Sequence, residues 1–281
     1  MRSLSSLIST EQRILQIRPI DDLLFNLMYQ DKAACQELIR TILEDDSLIV
    51  LNVTAQDTVP NLLGRGVRLD VTCQTADGRI INVEVQRFDR DDHFRRIRYN
   101  SSVLTARHTP KGTDFRDVAE VYIIFITEFD IIKSEKTVCH IKSFIEETGE
   151  IIEDGLHRII VNAAKYDGTK PARLMKHFRE NYFEDNEFPE SSRQIRHFKR
   201  TEKGRDKMGT VMQSIINDYV KEYTEYRDAL MLIRNIETIA DSIQGSEQDA
   251  CRILKVSYED YLNAKKLLDG IPSEELDEVF A

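Results

Sequence analysis

The alternation of apolar and polar residues between positions 67 and 86 is the clearest pattern in the chain. In "VRLDVTCQTADGRIINVEVQ", the odd positions 67 to 73 are apolar, and the alternation resumes from Ile81 to Val85 after Asp77-Gly78. A period of two predicts β-strands, and a turn dipeptide between two such runs predicts a hairpin. The stretch therefore predicts two paired strands.

The loop length of this hairpin decides which side chains meet. A two-residue loop sets Asp70 opposite Val85, which lies on the wrong face, because opposed residues of paired strands share a face. A three-residue loop with Gly78 in the left-handed conformation sets Asp70 opposite Glu84. We expect the second arrangement, which brings two carboxylates together without burying either of them in the core.

The flanking segments complete a small α/β core. Apolar residues repeat with helical spacing from 20 to 44, and 48–55 indicates a strand. Residues 91–107 are predicted to form a helix opened by aspartates, and the nearly continuous apolar run at 118–127 is typical of a strand buried on both faces. The predicted order is helix, three strands, helix, strand.

The arginine-rich helix at 91–107 carries two rows of side chains. The row expected to face the core consists of Phe94, Ile97, Ser101 and Leu104. The neighbouring row consists of Arg96, Tyr99 and Val103. Packing and solvation of the surface are the structural alternatives to a binding role for this second row.

The second half of the chain has a different pattern. Residues 140–150 and 157–164 predict two short strands around Gly149, and everything after Pro171 is predicted to be helical. We therefore expect an α/β domain at 1–170 and a helical region at 171–281 that packs on it.

Composition excludes several classes of protein. A hydrophobic fraction of 41% and a charged fraction of 31% are typical of a soluble globular protein, and no apolar run approaches the roughly 20 residues of a membrane helix. The first twenty residues lack a signal-peptide pattern, so we expect a cytoplasmic protein without membrane partners. The four cysteines are widely spaced and indicate reduced thiols, not a disulfide framework or zinc site. Gly-rich phosphate loops and nucleophile elbows are absent from the sequence.

The distribution of charge matters more than its sum. A net charge of −10 argues against general binding to nucleic acid. Basic residues nevertheless crowd two segments, 87–107 and 193–207. Each is either a local phosphate-binding surface or, more commonly for a charge run, a solvated helix face.

Asp70 and Glu84, with Gln86 two residues further on, have the chemistry of a magnesium site. Such ions take oxygen ligands and keep waters that can be activated for attack on a phosphodiester. The alternative is that these residues form the polar outer face of an amphipathic hairpin. From spacing alone this alternative is favoured.

The combination of motifs resembles a known family. The matching features are Asp70, a thirteen-residue gap, Glu84-Val85-Gln86, "DDLLF" at 21–25, "FRRIRYNSS" at 94–102 and "VYIIFITEFDI" at 121–131. In this order they resemble the PD-(D/E)XK nuclease superfamily, and more narrowly its Rpn-type branch of recombination-promoting nucleases and transposase relatives. The resemblance covers approximately residues 18–165. It implies a restriction-endonuclease-like α/β core (helix, three-stranded antiparallel sheet, helix, strand) with a helical C-terminal extension.

The resemblance also implies roles for the acidic residues. Asp70 and Glu84 would bind Mg²⁺ or Mn²⁺. Asp22, from the signature that contains Phe25, would add a third carboxylate from the first helix, with Glu37 as a weaker candidate. An N-cap role for Asp22 is an equally good alternative.

Two residues depart from the pattern of the family. Gln86 stands where most relatives have a lysine, and an amide can orient a partner but supplies no charge. Arg96 is the better candidate for that charge, because strand alternation points Arg87 to the face opposite Gln86. Asn26 stands where relatives commonly have a lysine, so one phosphate contact is expected to be missing.

These features together predict a metal-dependent DNA endonuclease. The expected catalytic residues are Asp70, Glu84, Gln86 and Arg96, and the expected DNA contacts are Arg87, Arg95, Arg96, Arg98 and Tyr99. The alternative function is a catalytically weak nuclease-fold protein that binds DNA or a protein partner. The sequence leaves a monomer and a homodimer open.

Overall fold

The computed structural model describes residues 10–59, 67–89 and 92–269 of the chain. The chain divides into two units, residues 1–209 and 210–281. Helices of the first unit are α1 (Thr10–Gln16), α2 (Asp22–Tyr29), α3 (Lys32–Leu43), α4 (His93–Arg107), α5 (Lys170–Phe178) and α6 (Pro189–Arg200). Helix α7 (Glu202–Ile243) contains the division, and α8 (Glu247–Leu254) and α9 (Tyr258–Leu268) follow it.

The described residues also form eight strands. They are β1 (Val50–Val59), β2 (Val67–Thr75), β3 (Ile80–Gln86), β4 (Val121–Thr127), β5 (Val138–Ile141), β6 (Ser143–Phe144), β7 (Ile151–Ile152) and β8 (Leu156–Asn162). Six of them form one sheet in the order β1-β2-β3-β4-β8-β5. Strands β1, β2 and β3 are antiparallel neighbours, β3, β4 and β8 run parallel, and β5 is antiparallel to β8. The predicted α/β class is confirmed.

The hairpin has the predicted register. Val71 pairs with Val83 and Gln74 with Ile80, which continues to Asp70 opposite Glu84. Gly78 has φ = 90°, and its N–H donates to Thr75 O at 3.0 Å. A three-residue loop from 76 to 78 therefore sets the pairing, because glycine adopts this left-handed conformation without a steric penalty.

Helix α4 covers one face of the sheet. Its Ile97 and Leu104 pack with Leu69 of β2 and with Ile123 and Phe125 of β4, all of them buried. This packing fixes the arginine-rich helix directly above the strands that carry the carboxylates.

The prediction that Phe94 belongs to the core row of α4 is wrong. Phe94 is 53% exposed, and His93 takes the inward position instead. The imidazole packs on Phe125 and Phe129, with ring centroids 5.9 and 5.1 Å apart, and its Nε2 bonds with Asp89 at 2.8 Å. His93 and Phe94 lie four and three residues before Ile97, so helical spacing allows either of them to face the core with it. His93 takes the inward position, where Asp89 is its hydrogen-bond partner.

The helix predicted over 20–44 is two helices. Asp31 separates α2 from α3, and its Oδ1 accepts the N–H groups of Ala33 and Ala34 at 3.1 Å each. Aspartate is a preferred N-cap because it satisfies donors that a helix start leaves open. The apolar repeat continues across this break, which is why the pattern does not show it.

After Pro171, the described residues up to Leu268 form helices and the loops between them, as predicted. Before it, β6 and β7 pair around Gly149, while β5 and β8 join the main sheet. Helices α5 and α6 pack against α3 within the first unit. The second unit has its own core, which includes Ile236 and Tyr261. In the described ranges, no helix has the length and apolarity needed to cross a bilayer.

Lys199 of α6 has a structural role. It is 3% exposed, and its Nζ donates to the carbonyl oxygens of Ile14 at 2.6 Å, Leu15 at 3.3 Å and Ile17. These carbonyls belong to the end of α1 and the residue after it, where helical acceptors have no partners in the helix. Lys199 is therefore not available as a phosphate contact.

We expect Lys199→Met to lower the free energy of unfolding by about 1–3 kcal/mol, because buried carbonyls lose their donor. Urea denaturation measures this loss. Lys176→Met, at an exposed lysine of α5, is the matched control and should stay within about 0.5 kcal/mol of the wild type. Equal stability of the two variants would show that the Lys199 hydrogen bonds contribute nothing to the free energy of unfolding.

Candidate active site

The two carboxylates lie where strands β2 and β3 stop pairing through their backbones. The paired residues run from Gln74 and Ile80 to Val71 and Val83. One step further, Asp70 N–H donates to Glu84 Oε1 at 3.2 Å, and Val85 N–H donates to Asp70 Oδ2 at 3.0 Å. Each carboxylate therefore accepts an amide hydrogen of the opposite strand and is fixed in place by it.

Burial of Glu84 differs from the prediction. Glu84 is 6% exposed, whereas the predicted hairpin keeps both carboxylates outside the core. The reason is the parallel register of β3 and β4, which puts Glu84 beside Phe125 on the face that α4 covers. Asp70 is partly buried.

Asn82 supports Glu84 and was not identified from the sequence as a site residue. Its Nδ2 donates to Glu84 Oε1 at 2.9 Å and to Val71 O at 3.2 Å. Its Oδ1 is buried and has no hydrogen-bond partner among the described residues. The only sequence signal was its place on the polar face, two residues before Glu84.

Helix α2 brings two more polar residues to Asp70. Asn26 donates to Asp22 O at 2.8 Å and forms a side-chain hydrogen bond with Asp70. Its Oδ1 is also buried without a partner in the described part of the chain. Asp21, not Asp22, occupies the N-cap position, so the capping alternative for Asp22 is wrong. Asp22 instead acts on Asp70 by charge repulsion.

Both carboxyl groups hold their protons more tightly than usual. Burial and then the charge of Asp22 raise the pKa of Asp70 to about 6, although hydrogen bonds from Val85 and Asn26 oppose this. Burial and then the charge of Asp70 raise the pKa of Glu84 to about 8. Desolvation and like charge disfavour the ionised pair. A bound cation would favour the ionised form of both carboxylates.

Gln86 and Arg96 lie beside this pair. Gln86 is 7% exposed; its Nε2 donates to Phe88 O at 2.8 Å, and its Oε1 accepts from Arg96 at 3.3 Å. Arg96 also bonds Asp92 at 3.1 Å, and its charge lowers the pKa of Glu84. The structure thus places a positive charge next to the amide that stands at the usual lysine position.

Two clefts meet at Arg96. The arginine cleft, about 540 Å³ in volume, is lined by Arg68, Glu84, Arg95, Arg96, Arg98 and Tyr99 among others. The Gln86 cleft, about 380 Å³, is lined by Asp22, Gln86, Arg87, Phe88 and Arg96 among others. Glu84, Gln86, Arg96 and the predicted DNA contacts on α4 therefore line two clefts that share Arg96, and Asp70 lies beside Glu84.

Two candidates have other partners. Arg87 lines the Gln86 cleft, but its guanidinium lies 2.6 Å from Asp21 and 3.4 Å from Glu128. Glu37 accepts the N–H groups of Glu190 and Ser191 at 2.9 and 2.8 Å, at the start of α6. Glu37 therefore caps a helix and is not part of the site.

The donor set fits an oxygen-binding metal of the magnesium class. Within the ranges that the structure describes, no three His, Cys, Asp or Glu side chains are arranged as a preformed metal site. Mg²⁺ commonly uses only one or two carboxylates and keeps several waters. Asp70 and Glu84 provide this pair, and the unpartnered amide oxygens of Asn26 and Asn82 add polarity without opposing charge.

Comparison with known proteins gives one finding. The model of the family described as PD-(D/E)XK nuclease family transposase matches residues 19–180, which is more than half of the chain. The matched range includes all the residues of the two clefts named above. Neither the curated proteins nor the solved structures give a significant match.

The raised pKa values predict how pH affects the metal-free protein. The unfolded chain loses the two protons near its ordinary pKa values of 3.8 and 4.5, whereas the folded chain keeps them to about 6 and about 8. The unfolded state then binds fewer protons, so the free energy of unfolding should fall as pH rises from about 4 to about 8. Glu84→Gln should reduce this fall, as measured by urea denaturation in EDTA at pH 5 and pH 8.

An exposed carboxylate provides the control for this measurement. Glu147→Gln should show the same loss of stability between pH 5 and pH 8 as the wild type, because Glu147 is solvated. If Glu84→Gln also matches the wild type, the folded protein does not hold a protonated Glu84.

Proposed function

The chain belongs to the PD-(D/E)XK nuclease family transposases, and from this we propose that it is a metal-dependent endonuclease that hydrolyses phosphodiester bonds of DNA. One observation carries the proposal: Asp70 and Glu84 lie side by side where β2 and β3 separate, each held by an amide of the other strand. An amphipathic hairpin with a solvated polar face would not bury Glu84 at this point. The mixed sheet with α4 across it is consistent with the restriction-endonuclease-like core of this family.

Asp70 and Glu84 are the residues that would hold Mg²⁺ or Mn²⁺, with Asp22 as a third carboxylate nearby. Bound there, such an ion would neutralise charge on the phosphate and lower the pKa of an attacking water. The protein's contribution is to fix both carboxylates through Asn82, Asn26 and the two strand amides. This support limits the motion of the ligands before substrate arrives.

Arg96 would supply the positive charge that Gln86 lacks. Its guanidinium reaches Gln86 from α4 and stays charged at any physiological pH. Gln86, held by Phe88 O, would orient a water or phosphate oxygen through its amide. Arg95 and Arg98 are exposed on the same helix and would contact the DNA backbone, and Tyr99 lines the same cleft.

A second function is favoured by other observations. Gln86 stands where most relatives have a lysine, and Arg87 forms ion pairs with Asp21 and Glu128. The net charge of the chain is −10. A nuclease-fold protein that binds DNA or a partner without cutting would have these properties.

Plasmid nicking with Mg²⁺ or Mn²⁺ separates the two functions. We expect nicking by the wild type and a loss of about 100-fold or more in Asp70→Asn and in Glu84→Gln, comparable to removing a group that stabilises the transition state. Asp114→Asn, at a residue that caps a short 3₁₀ helix elsewhere, should cleave like the wild type. Unchanged cleavage in both site variants would exclude these residues from catalysis. DNA binding without nicking under either metal would favour the second function.

A further inference from the structure

Phe88 is an exposed aromatic residue two positions after Gln86, just past the end of the strand that carries Glu84. It is 67% exposed, and it lines the Gln86 cleft together with Asp22, Gln86 and Arg96. Single exposed apolar residues are common on protein surfaces, and Phe115 is even more exposed at 93%. Phe88 differs from Phe115 by its place in the candidate site.

The position of Phe88 is coupled to Gln86. Its carbonyl oxygen accepts from Gln86 Nε2 at 2.8 Å, and the guanidinium of Arg87 lies 5.1 Å from its ring centroid. The backbone at Phe88 is therefore held by the residue that stands at the lysine position, and the ring is presented to solvent at the edge of the cleft.

A second aromatic residue lines the arginine cleft. Tyr99 lines the arginine cleft with Glu84, and Arg96 borders both clefts. Along α4, the exposed positions include Phe94, Arg95 and Arg98. Aromatic rings and guanidinium groups thus occur together around the two clefts.

This arrangement has the chemistry of a surface for unpaired nucleotides. Proteins bind single strands by combining cations that follow the backbone with aromatic side chains on which bases stack. In an intact duplex the bases are already stacked, and separating them costs a few kcal/mol per step. An exposed ring gains most from a base that is already unpaired.

We propose that the substrate is DNA with unpaired bases next to the scissile phosphate, and that one such base stacks on Phe88. This inference deepens the proposed function, since it names the form of DNA that the same site takes. Arg95 and Arg98 contact phosphates of the strand, and Tyr99 borders it in the arginine cleft.

Binding to two labelled DNAs tests the proposal with the full chain in EDTA, where no metal supports cleavage. One DNA is a fork with 2-aminopurine at the first unpaired position, and the other is a blunt duplex of the same sequence. We expect fluorescence anisotropy to show at least about tenfold tighter binding to the fork. We also expect quenching of the 2-aminopurine as it stacks.

Substitution of Phe88 should remove this preference. Stacking contributes about 1–3 kcal/mol per base, so Phe88→Ala should weaken binding to the fork about 5- to 150-fold and leave binding to the duplex unchanged. Phe88→Trp should keep both the affinity and the quenching. Phe115→Ala, at the more exposed control position, should behave like the wild type.

The outcomes separate this inference from the proposed function. Equal affinity for fork and duplex, or a Phe88→Ala variant that matches Phe115→Ala, overturns the stacking site even if the protein nicks plasmid DNA. Binding to the fork that depends on Phe88, without cleavage under any metal, supports the stacking site and overturns the proposed cleavage.

Discussion

The cost of holding a buried and a partly buried carboxylate side by side is the constraint on which the rest of this site depends. Burial and then the charge of Asp70 raise the pKa of Glu84, and burial and then the charge of Asp22 raise the pKa of Asp70. The fold tolerates them because Asp70 N–H, Val85 N–H and Asn82 donate to their oxygens. These donors fix positions but do not remove the charge. A divalent cation bound by both carboxylates would offset that charge.

The surrounding strands and helices hold the residues of this site in place. Strand β3 is buried along its whole length between β2 and β4, so the carboxylate and the amide at its end are carried by rigid backbone and not by a loop. Helix α4 covers Glu84 and brings Arg96 to Gln86, and α2 brings Asn26 and Asp22 to Asp70. Removal of a cation from this site should therefore affect the stability of the protein as well as its chemistry.

Much of this arrangement follows from local sequence. The alternation from 67 to 86 and the left-handed Gly78 determine the hairpin and its register, because each depends on residues close in the chain. Burial of Glu84 does not follow from local sequence, since it depends on two elements further along the chain. Helix α4 covers this face of the sheet, and β4 pairs beside β3. The inward position of His93 in place of Phe94 likewise depends on Asp89 and on two distant phenylalanines. The family pattern points to Asp70, Glu84 and Gln86, but the support from Asn82 becomes visible only when the strands are paired. The catalytic and DNA-binding roles of all these residues stay predictions.

The central claim is that Asp70 and Glu84 together form a binding site for one divalent cation. Electron paramagnetic resonance of Mn²⁺ titrated into the purified full-length protein measures this directly, because free Mn²⁺ gives a strong signal that is lost on binding. We expect one Mn²⁺ bound per chain near neutral pH, displaced by excess Mg²⁺ and absent in the folded Asp70→Asn and Glu84→Gln variants. Stoichiometric binding that survives both substitutions, or the absence of any binding to the wild type, would contradict this account.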